Sequence, residues 1–590
     1  MARARPVIAK AKQSLVREPP PGSSPGLTLA PRESATFQSP AARPDPVRWL
    51  YRLWTISILA LFALHFVHLL ADFPNHSPWL DPAKYTDEGW YGNAAVRHFL
   101  LGHWFLHGDF NPAVALPVWP VLLGLLFHFT GVSLAADRAL DLAFFGLNLL
   151  LAYQVVRTQA PRWVAFLALT LLVTSPFLFA FSRLALLEPP LMCLLLLSWL
   201  LALRLPRASA RAQTFMLLSI GIFSCLMILT KTTAVFLLPS TLWIIAQAFG
   251  LRWRTLRALL IAAIAAAVPW CAYYFLLVRP HYRVDYRYLF DANHWPQPTD
   301  FPGWIAAFWY ALHGSLWISP TLCVLALALL TLTLFPRREP QVPHDPALSK
   351  VAISDRAEGG SPVLGDVGFL ESRPSLWRSP LTYASLLAAS GYIFFAGWHN
   401  NPQPRYYETV IDPLCFVLVL GTADLLSRSR PFILRLCGCA AIAVMAIVSI
   451  AGIVRIAGYI RHPDYSFLNA ARGLTRYIDR HPGPNRLLLS ISGDDIEMIT
   501  RLPAICDDYG AWDLPYRIHA YQPGWFATWN ELDSGTLLDL STQYSLERVA
   551  SFPAFDDPDR NVLILYRMIP LPASKQTYSA QDEAALNAGK

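Results

Sequence analysis

Long apolar segments alternate along the chain with short polar segments. Stretches such as Ala212–Thr230, Ala258–Val278, Leu381–Ala396 and Leu436–Val454 contain no Asp, Glu, Lys or Arg. A bilayer core about 30 Å thick is crossed by roughly 20 helical residues, and a helix satisfies its own backbone polar groups in lipid. The pattern therefore predicts a polytopic α-helical membrane protein.

The apolar segments that are long enough to cross a membrane predict about eleven spans. A further stretch, Pro112–Phe129, is interrupted by prolines, and counting it as a crossing moves the arginine clusters of the loops to the external side. Because cytoplasmic loops are enriched in Lys and Arg, we expect this stretch to be re-entrant or interfacial. The predicted spans are 50–71, 134–156, 163–181, 187–203, 212–230, 232–249, 255–278, 314–335, 379–397, 409–427 and 432–456.

The polar segments divide the chain into three predicted regions. Residues 1–48 are rich in Pro, Ser, Ala and Arg, so we expect a disordered basic cytoplasmic tail. Residues 49–457 form the predicted transmembrane domain. It includes a first external loop at 72–111 and a cytoplasmic linker at 336–378.

Residues 458–590 are polar and of domain size. They open with a helical pattern over Ser466–Arg480, followed by an apolar run at Asn485–Ile491. An alternating strand pattern occurs late, at Val562–Met568. These features predict a small external α/β domain at the carboxyl end.

Composition narrows the class of partner. The chain is 54% hydrophobic and carries a net charge of +8, with much of the positive charge in short loops and in the tail. That distribution fits cytoplasmic loops and membrane lipids, and it argues against nucleic acid. Most cysteines lie in or beside apolar segments, so the sequence implies no disulfide framework.

The first external loop carries the sharpest candidate for chemistry. Asp87 and Glu88 are adjacent there, between Tyr85 and Tyr91. A carboxylate in a partly desolvated pocket can deprotonate an acceptor hydroxyl. The alternative is an ordinary acidic loop in water.

A second candidate is the pair Arg183 and Glu188, which lies between two apolar spans. Ionisable groups at membrane depth are costly, and they usually serve a site or neutralise each other. We therefore leave open a functional role and a simple Arg183–Glu188 ion pair.

Three external segments carry cations beside aromatic residues. They contain Lys231, the basic loop Arg279–Tyr288 and the turn Trp398–Glu408. Arginines bind phosphate through planar, bidentate donors, whereas the alternative role is interfacial anchoring by Lys, Arg and Tyr. All of these candidate clusters fall on one side of the predicted bundle. Carboxylates and cations that face one outer cavity suggest an anionic lipid-linked donor and a hydroxyl acceptor.

Histidines in the first loop raise the question of a metal. His103 and His107 have the i, i+4 spacing that binds a metal on a helix, and His98 lies nearby. Spacing alone is a weak match, and surface or packed histidines are the alternative. We expect no required cofactor, with a divalent metal as the weaker possibility.

These motifs occur in an order that resembles the GT-C superfamily of membrane glycosyltransferases. The relevant relatives are the protein O-mannosyltransferases and the aminoarabinose transferase of lipid A. The motifs are the Asp87-Glu88 pair with Tyr91, Arg183 followed by Glu188, the Leu229–Lys231 turn and the Gln403–Tyr407 turn. The sequence departs from these relatives at Asn111–Val114, where many have Lys or His followed by Pro-Pro-Leu.

The resemblance implies a hexosyl- or pentosyltransferase that uses a polyprenyl-phosphate sugar. Asp87 would be the base of an inverting transfer to an acceptor hydroxyl, with Glu88 and Glu188 in positioning roles. The implied groups that bind the donor phosphate are Lys231, Arg283, Arg287, Arg405 and Tyr406, and other pocket residues are Tyr91, Arg183 and His281.

We also expect a multi-pass protein of the bacterial inner membrane, with its site and carboxyl-terminal domain on the periplasmic side. The acceptor, whether lipid, glycan or protein, stays open. The alternative function is a transporter or flippase for a lipid-linked sugar.

Overall fold

The computed structural model describes most of the chain. The predicted tail and linker lie outside it, apart from 46–48 and 376–378, so those two predictions stay untested. The described residues are 46–74, 77–250, 252–292, 295–334, 376–427, 432–483, 485–530, 532–555, 557–558, 560–572 and 574.

Helices dominate the described part of residues 46–461, as the apolar blocks predict. The helices are α1 Pro46–Leu64, α2 Asp87–Leu101, α3 Val118–Thr130, α4 Leu134–Arg157, α5 Arg162–Val173, α6 Pro176–Phe181, α7 Glu188–Arg204, α8 Ala210–Thr230, α9 Leu238–Phe249, α10 Trp253–Tyr273, α11 Arg279–His281, α12 Arg283–Ala292, α13 Phe301–Gly314, α14 Pro320–Thr333, α15 Pro380–His399, α16 Glu408–Ser427 and α17 Phe432–Arg461.

Within the described residues, nine helical segments are long and apolar enough to cross a membrane, and a bent helix pair raises the number to ten. This confirms the predicted fold class, a multi-span helical protein. The count is lower than the predicted eleven, and the two differences have local causes.

The first difference lies at the predicted span 163–181. The chain there forms α5 and α6, which are separated at Thr174 and Ser175. Ser175 caps α6, because its hydroxyl accepts a hydrogen bond from the amide of Leu178 at 3.3 Å, and Pro176 begins the new helix. The apolar pattern continues across a helix boundary that the cap and the proline impose.

The second difference lies at 314–335. Helices α13 and α14 form one bent pair with an angle of 107°. Ser319 caps α14 and Pro320 begins it, so the backbone turns there. The stretch Pro112–Phe129, predicted to be re-entrant or interfacial, forms a 3₁₀ turn at Pro112–Val114 and then the short helix α3.

The carboxyl-terminal region contains a five-stranded mixed sheet, which confirms the predicted small sheet domain. The strand order is β2-β1-β3-β5-β4; β1 is parallel to β2 and β3, and β5 is antiparallel to β3 and β4. Its elements are α18 Ser466–Arg480, β1 Leu488–Leu489, α19 Gly493–Thr500, β2 Ala504–Ile505, α20 Leu514–Tyr521, β3 Trp525–Trp529, α21 Ser534–Ser541, β4 Tyr544–Pro553 and β5 Val562–Pro570.

The apolar core of this domain lies between α18 and the sheet. Phe467 and Leu474 of α18 pack with Trp525 and Leu565, and all four side chains are buried. Tyr85, from the loop after α1, belongs to the same cluster. The first loop and the carboxyl-terminal domain therefore share one core.

Helix α2 docks closely against α19. A Cβ atom added to Gly89 would lie 2.2 Å from the backbone nitrogen of Asp495, so only glycine allows this approach. Asn93 donates a hydrogen bond to Asp494 at 3.0 Å, and Arg97 forms ion pairs with Asp494 at 3.1 Å and with Asp109 at 2.6 Å. The helix that begins at Asp87 is thereby fixed on the carboxyl-terminal domain.

Candidate active site

Asp87 is the first residue of α2, and its carboxylate is almost completely buried. The hydroxyl of Thr86 donates a hydrogen bond to Asp87 Oδ1 at 3.1 Å. A carboxylate in the first turn of a helix is favoured by the partial positive charge of the helix amino terminus. The hydroxyl of Thr86 and the amino terminus of α2 thus fix the position of the Asp87 carboxylate.

Arg405, in the turn Gln403–Tyr407, forms an ion pair with Asp87. Its Nε lies 2.9 Å from Asp87 Oδ2, and its Nη1 pairs with Asp81 Oδ1. The backbone amide of Arg405 also donates to Asp81 Oδ2 at 2.9 Å. One guanidinium therefore bridges two buried carboxylates that belong to the first loop.

Lys231 and Glu188 form a buried ion pair next to this group. The Lys231 ammonium lies 4.9 Å from the ring centroid of Tyr406, and the Arg405 guanidinium lies 5.0 Å from the same centroid. The Tyr406 ring thus lies against both cations. Asp81, Asp87, Glu188, Lys231, Arg405 and Tyr406 are called the charged cluster below.

The suggested ion pair between Arg183 and Glu188 is wrong, because Glu188 pairs with Lys231. Arg183 instead donates to the carbonyl oxygens of Val67, at 2.8 Å, and of His68. Its guanidinium lies 4.6 Å from the ring centroid of Phe179. Arg183 thus binds the backbone that follows α1, and among the described residues no hydrogen bond or ion pair joins it to the charged cluster.

Glu88 points away from Asp87 and meets Arg138 of α4. The two Glu88 oxygens accept from Arg138 at 2.7 and 2.6 Å, and the amide of Ala185 donates to Oε1 at 2.9 Å. Such a bidentate pair is strong and directional. The side chain of Glu88 therefore anchors α2 to the helix bundle.

Burial raises the pKa of Asp87 above its ordinary range, and the charge of Arg405 opposes that rise. Tyr91 lies one helical turn later, on the same face of α2. Burial also raises the pKa of Tyr91, and the charge of Asp87 adds to the effect. Asp87 is thus a carboxylate with increased basicity beside a neutral phenol.

The basic segment 279–287 lies elsewhere. Arg287 forms an exposed ion pair with Asp291 at 3.3 Å. His281 and Arg283 line a cavity of about 600 Å³ together with His103 and His107. Among the described residues no ion pair or hydrogen bond joins this segment to the charged cluster. The sequence placed both groups of cations in one site, whereas the structure brings only Lys231, Arg405 and Tyr406 to Asp87.

The helical basis for a metal site does not hold. Helix α2 ends at Leu101, so His103 and His107 follow it in a loop. The His107 ring packs on Trp512 with ring centroids 4.2 Å apart, and the His98 ring stacks on Trp104 at 4.3 Å. In the described ranges no group of three His, Cys, Asp or Glu side chains has the arrangement that a metal ion needs.

Sequence reasoning assigned no role to several buried charged side chains near the site. Asp81 pairs with Arg405, and Arg138 holds Glu88. Asp141 of α4 and Glu408 of α16 are buried, and oxygen atoms on both have no hydrogen-bond partner among the described residues. Arg138, Asp141 and Glu408 interrupt or border apolar spans, and that position was the available signal.

One family model matches the chain, over residues 126–283, which is about a quarter of its length. It describes the dolichyl-phosphate-mannose-protein mannosyltransferases. No curated protein matches the chain. The family match confirms the predicted resemblance to GT-C membrane glycosyltransferases.

Solved structures match the chain at low sequence identity. ArnT from Cupriavidus metallidurans bound to undecaprenyl phosphate has 16% identity and a TM-score of 0.45, over 88% of this chain and 98% of its own. The oligosaccharyltransferase AglB from Archaeoglobus fulgidus, in complex with an inhibitory peptide and a dolichol-phosphate, has 12% identity and a TM-score of 0.45, over 89% of this chain and 77% of its own.

Proposed function

We propose that this protein is a membrane glycosyltransferase that moves a sugar from a polyprenyl-phosphate donor to an acceptor hydroxyl, with Asp87 as the base. The observation that carries the proposal is the burial of Asp87 against Arg405, beside the Lys231–Glu188 pair. The family match supports the same class of reaction.

In the proposed reaction the charges of the cluster have separate roles. Asp87 takes the proton of the acceptor hydroxyl, and the acceptor oxygen attacks the anomeric carbon from the side opposite the phosphate. The bond between that carbon and the phosphate oxygen breaks, and the phosphate leaves with the electron pair. This in-line displacement inverts the anomeric centre.

The leaving phosphate needs positive charge close by. Lys231 has Glu188 as its ion-pair partner, whereas Arg405 already serves Asp81 and Asp87. We expect Lys231 to exchange Glu188 for a phosphate oxygen when the donor binds. Arg405 then holds Asp87 in place and offsets its charge.

Unsatisfied acceptor atoms support a sugar near the cluster. Asp141, Glu188 and Glu408 each carry at least one buried oxygen without a hydrogen-bond partner among the described residues. Buried polar atoms without partners are costly, and sugar hydroxyls are donors that would satisfy them. We therefore expect the donor sugar to lie between these carboxylates and Asp87.

The proposed location is the bacterial inner membrane, with the charged cluster on the periplasmic side. The external position of the arginine-poor first loop, predicted from charge, supports this orientation. The acceptor is a lipid, a glycan or a protein that presents a hydroxyl group.

The test is transfer of a radiolabelled sugar from polyprenyl-phosphate donors in proteoliposomes. We expect the wild type to release polyprenyl phosphate and the Asp87→Asn variant to lose that release. The control is Asp479→Asn, which removes a half-exposed carboxylate paired with Arg486 at 2.8 Å. If the wild type and both variants move labelled lipid across the bilayer equally and none consumes it, the protein is a flippase and the transferase proposal is wrong.

A further inference from the structure

The carboxyl-terminal domain contains a cavity that the proposed chemistry does not use. Its volume is about 730 Å³, within the range of small-ligand sites. It opens between Tyr288 of α12 and the segments around β2, β3 and α21. This cavity is called the acidic pocket below.

Negative charge dominates the lining of the acidic pocket. Its cations are Arg517 and Arg560. Arg517 is directed into the protein, because it donates to the carbonyl oxygens of Tyr509 at 2.8 Å and Trp512 at 3.0 Å. The carboxylates of the lining outnumber these cations; they are Asp507, Asp508, Asp513, Asp533 and Asp539.

One of these carboxylates has an acceptor atom without a partner. Asp507 Oδ1 is buried and makes no hydrogen bond to any described residue. Burial raises the pKa of Asp507 to about 7, and the charge of Asp508 adds to the rise. A buried acceptor of this kind is satisfied by a ligand that donates a hydrogen bond, and a cationic donor satisfies it best.

Aromatic side chains also belong to the lining of the acidic pocket. Trp512, Trp529 and Tyr288 line the pocket together with the carboxylates. Aromatic faces attract cations and also pack on the apolar faces of compact ligands. The lining therefore suits a compact unit that carries amino groups, and its charge disfavours phosphate.

The pocket wall reaches the helix of Asp87. The Trp529 ring lies 5.6 Å from the Tyr85 ring, and Tyr85 is two residues before Asp87. Tyr509 lies in the chain between the lining residues Asp508 and Gly510, and its ring lies 5.1 Å from the ring of Trp90 in α2. Strand β3 and the segment after β2, which line the acidic pocket, therefore also pack against the segment that carries Asp87.

We infer that the acidic pocket binds the acceptor, and that the acceptor headgroup is a saccharide with protonated amino groups. This inference rests on the proposed function, because it assigns the pocket to the substrate that Asp87 deprotonates. Hydroxyl groups on the saccharide supply the nucleophile, while its amino groups pair with the carboxylates. A compact saccharide fits the aromatic-lined volume of about 730 Å³ better than an extended peptide, which needs a groove.

Binding to the full-length protein in detergent tests the inference. The probes are a tetramer of glucosamine, which is cationic, and the tetramer of N-acetylglucosamine, which is neutral; calorimetry measures both. We expect the cationic tetramer to bind about tenfold more tightly than the neutral one at low salt, and the difference to shrink as salt is added.

The variant is Asp508→Asn with Asp539→Asn, at two carboxylates that are not completely buried. We expect it to weaken the cationic tetramer about tenfold, whereas the control Asp479→Asn leaves binding unchanged. Equal binding of the two tetramers, or an unaffected double variant, would overturn the inference. If a lysine tetramer binds as tightly as the glucosamine tetramer, the pocket does not select a saccharide, and the inferred acceptor becomes a cationic peptide.

A further variant separates this inference from the proposed function. Asp87→Asn is expected to bind the cationic tetramer normally while it loses sugar transfer. Normal transfer by Asp87→Asn would remove the proposed base and leave the pocket intact. Loss of the binding preference with Asp87-dependent transfer intact would remove only the pocket assignment.

Discussion

Two groups of cations look alike in the sequence and differ in the structure. Arg405 and Lys231 are buried, and each pairs with a carboxylate in the charged cluster. Arg283 and Arg287 of the basic segment are exposed on α12, where Arg287 pairs with Asp291. Burial makes a charge expensive unless it is paired, so the first group depends on its partners and the second does not.

The largest effect is expected when a buried cation is removed. Arg405→Gln leaves Asp81 and Asp87 buried without their common partner, and breaking such a pair costs about 4 kcal/mol. We expect a clear fall in the thermal unfolding midpoint and loss of sugar transfer. Arg287→Gln, at an exposed pair, is the matched control and should leave the midpoint unchanged. Equal midpoints for the two variants would remove the distinction between the groups.

The geometry of the charged cluster also depends on the docking of α19 against α2. Gly89→Ala places a Cβ against the backbone of Asp495, and we expect it to destabilise the protein by about 3 kcal/mol. The control is Gly458→Ala, since a Cβ at Gly458 meets no atom within 4 Å. Thermal unfolding of both variants measures the difference. A tolerated Gly89→Ala would mean that the two helices do not need this close approach.

The pairing of Lys231 with Glu188 predicts a charge-swap result. Lys231→Glu and Glu188→Lys each place two like charges in a buried site, so we expect each to lower the unfolding midpoint. The double variant restores the pair, and its midpoint should recover at least partly. Transfer should stay low in the double variant, because the cation then lies on α7. Recovered stability together with full transfer would argue against a specific role for Lys231.

The smallest effect is expected in the basic segment. Arg283→Gln removes an exposed cation from the cavity that also contains His103 and His107. If this cation contacts the donor phosphate, as predicted from the sequence, KM for the donor should rise about threefold with kcat unchanged. The measurement is initial rates over a range of donor concentrations. A large fall in kcat would place the basic segment at the reacting atoms instead.

The fold class could be predicted because burial in lipid requires uncharged apolar blocks. The helix Ser466–Arg480 could be predicted because its apolar positions repeat with the helical period. The strand at Val562 could be predicted as a short apolar run, although its buried positions Leu563, Ile564 and Leu565 are consecutive and do not alternate. The breaks at Ser175 and Ser319 were missed, because caps and prolines interrupt helices without changing hydropathy. All members of the charged cluster except Asp81 were among the predicted site residues: Asp87, Glu188, Lys231, Arg405 and Tyr406.

Partner choice could not be predicted from the sequence. Arg183 and Glu188 are five residues apart, yet Glu188 pairs with Lys231, which follows the end of α8. The role of Asp81 was hidden for the same reason, since only the folded chain brings it to Arg405. Tertiary packing decides which of several cations in neighbouring loops meets a given carboxylate.

The most direct measurement is the pH dependence of single-turnover sugar transfer by the wild type, Asp87→Glu and Asp87→Asn. A base acts only when it is deprotonated, and burial raises the pKa of Asp87. The account predicts that the wild-type rate falls with decreasing pH at values above the ordinary Asp range. It also predicts that Asp87→Glu keeps this fall in rate, called the acid limb, at a shifted pH. Asp87→Asn is expected to lose the acid limb and about a thousandfold in rate. A wild-type acid limb retained in Asp87→Asn, at comparable rate, would contradict the assignment of Asp87 as the base.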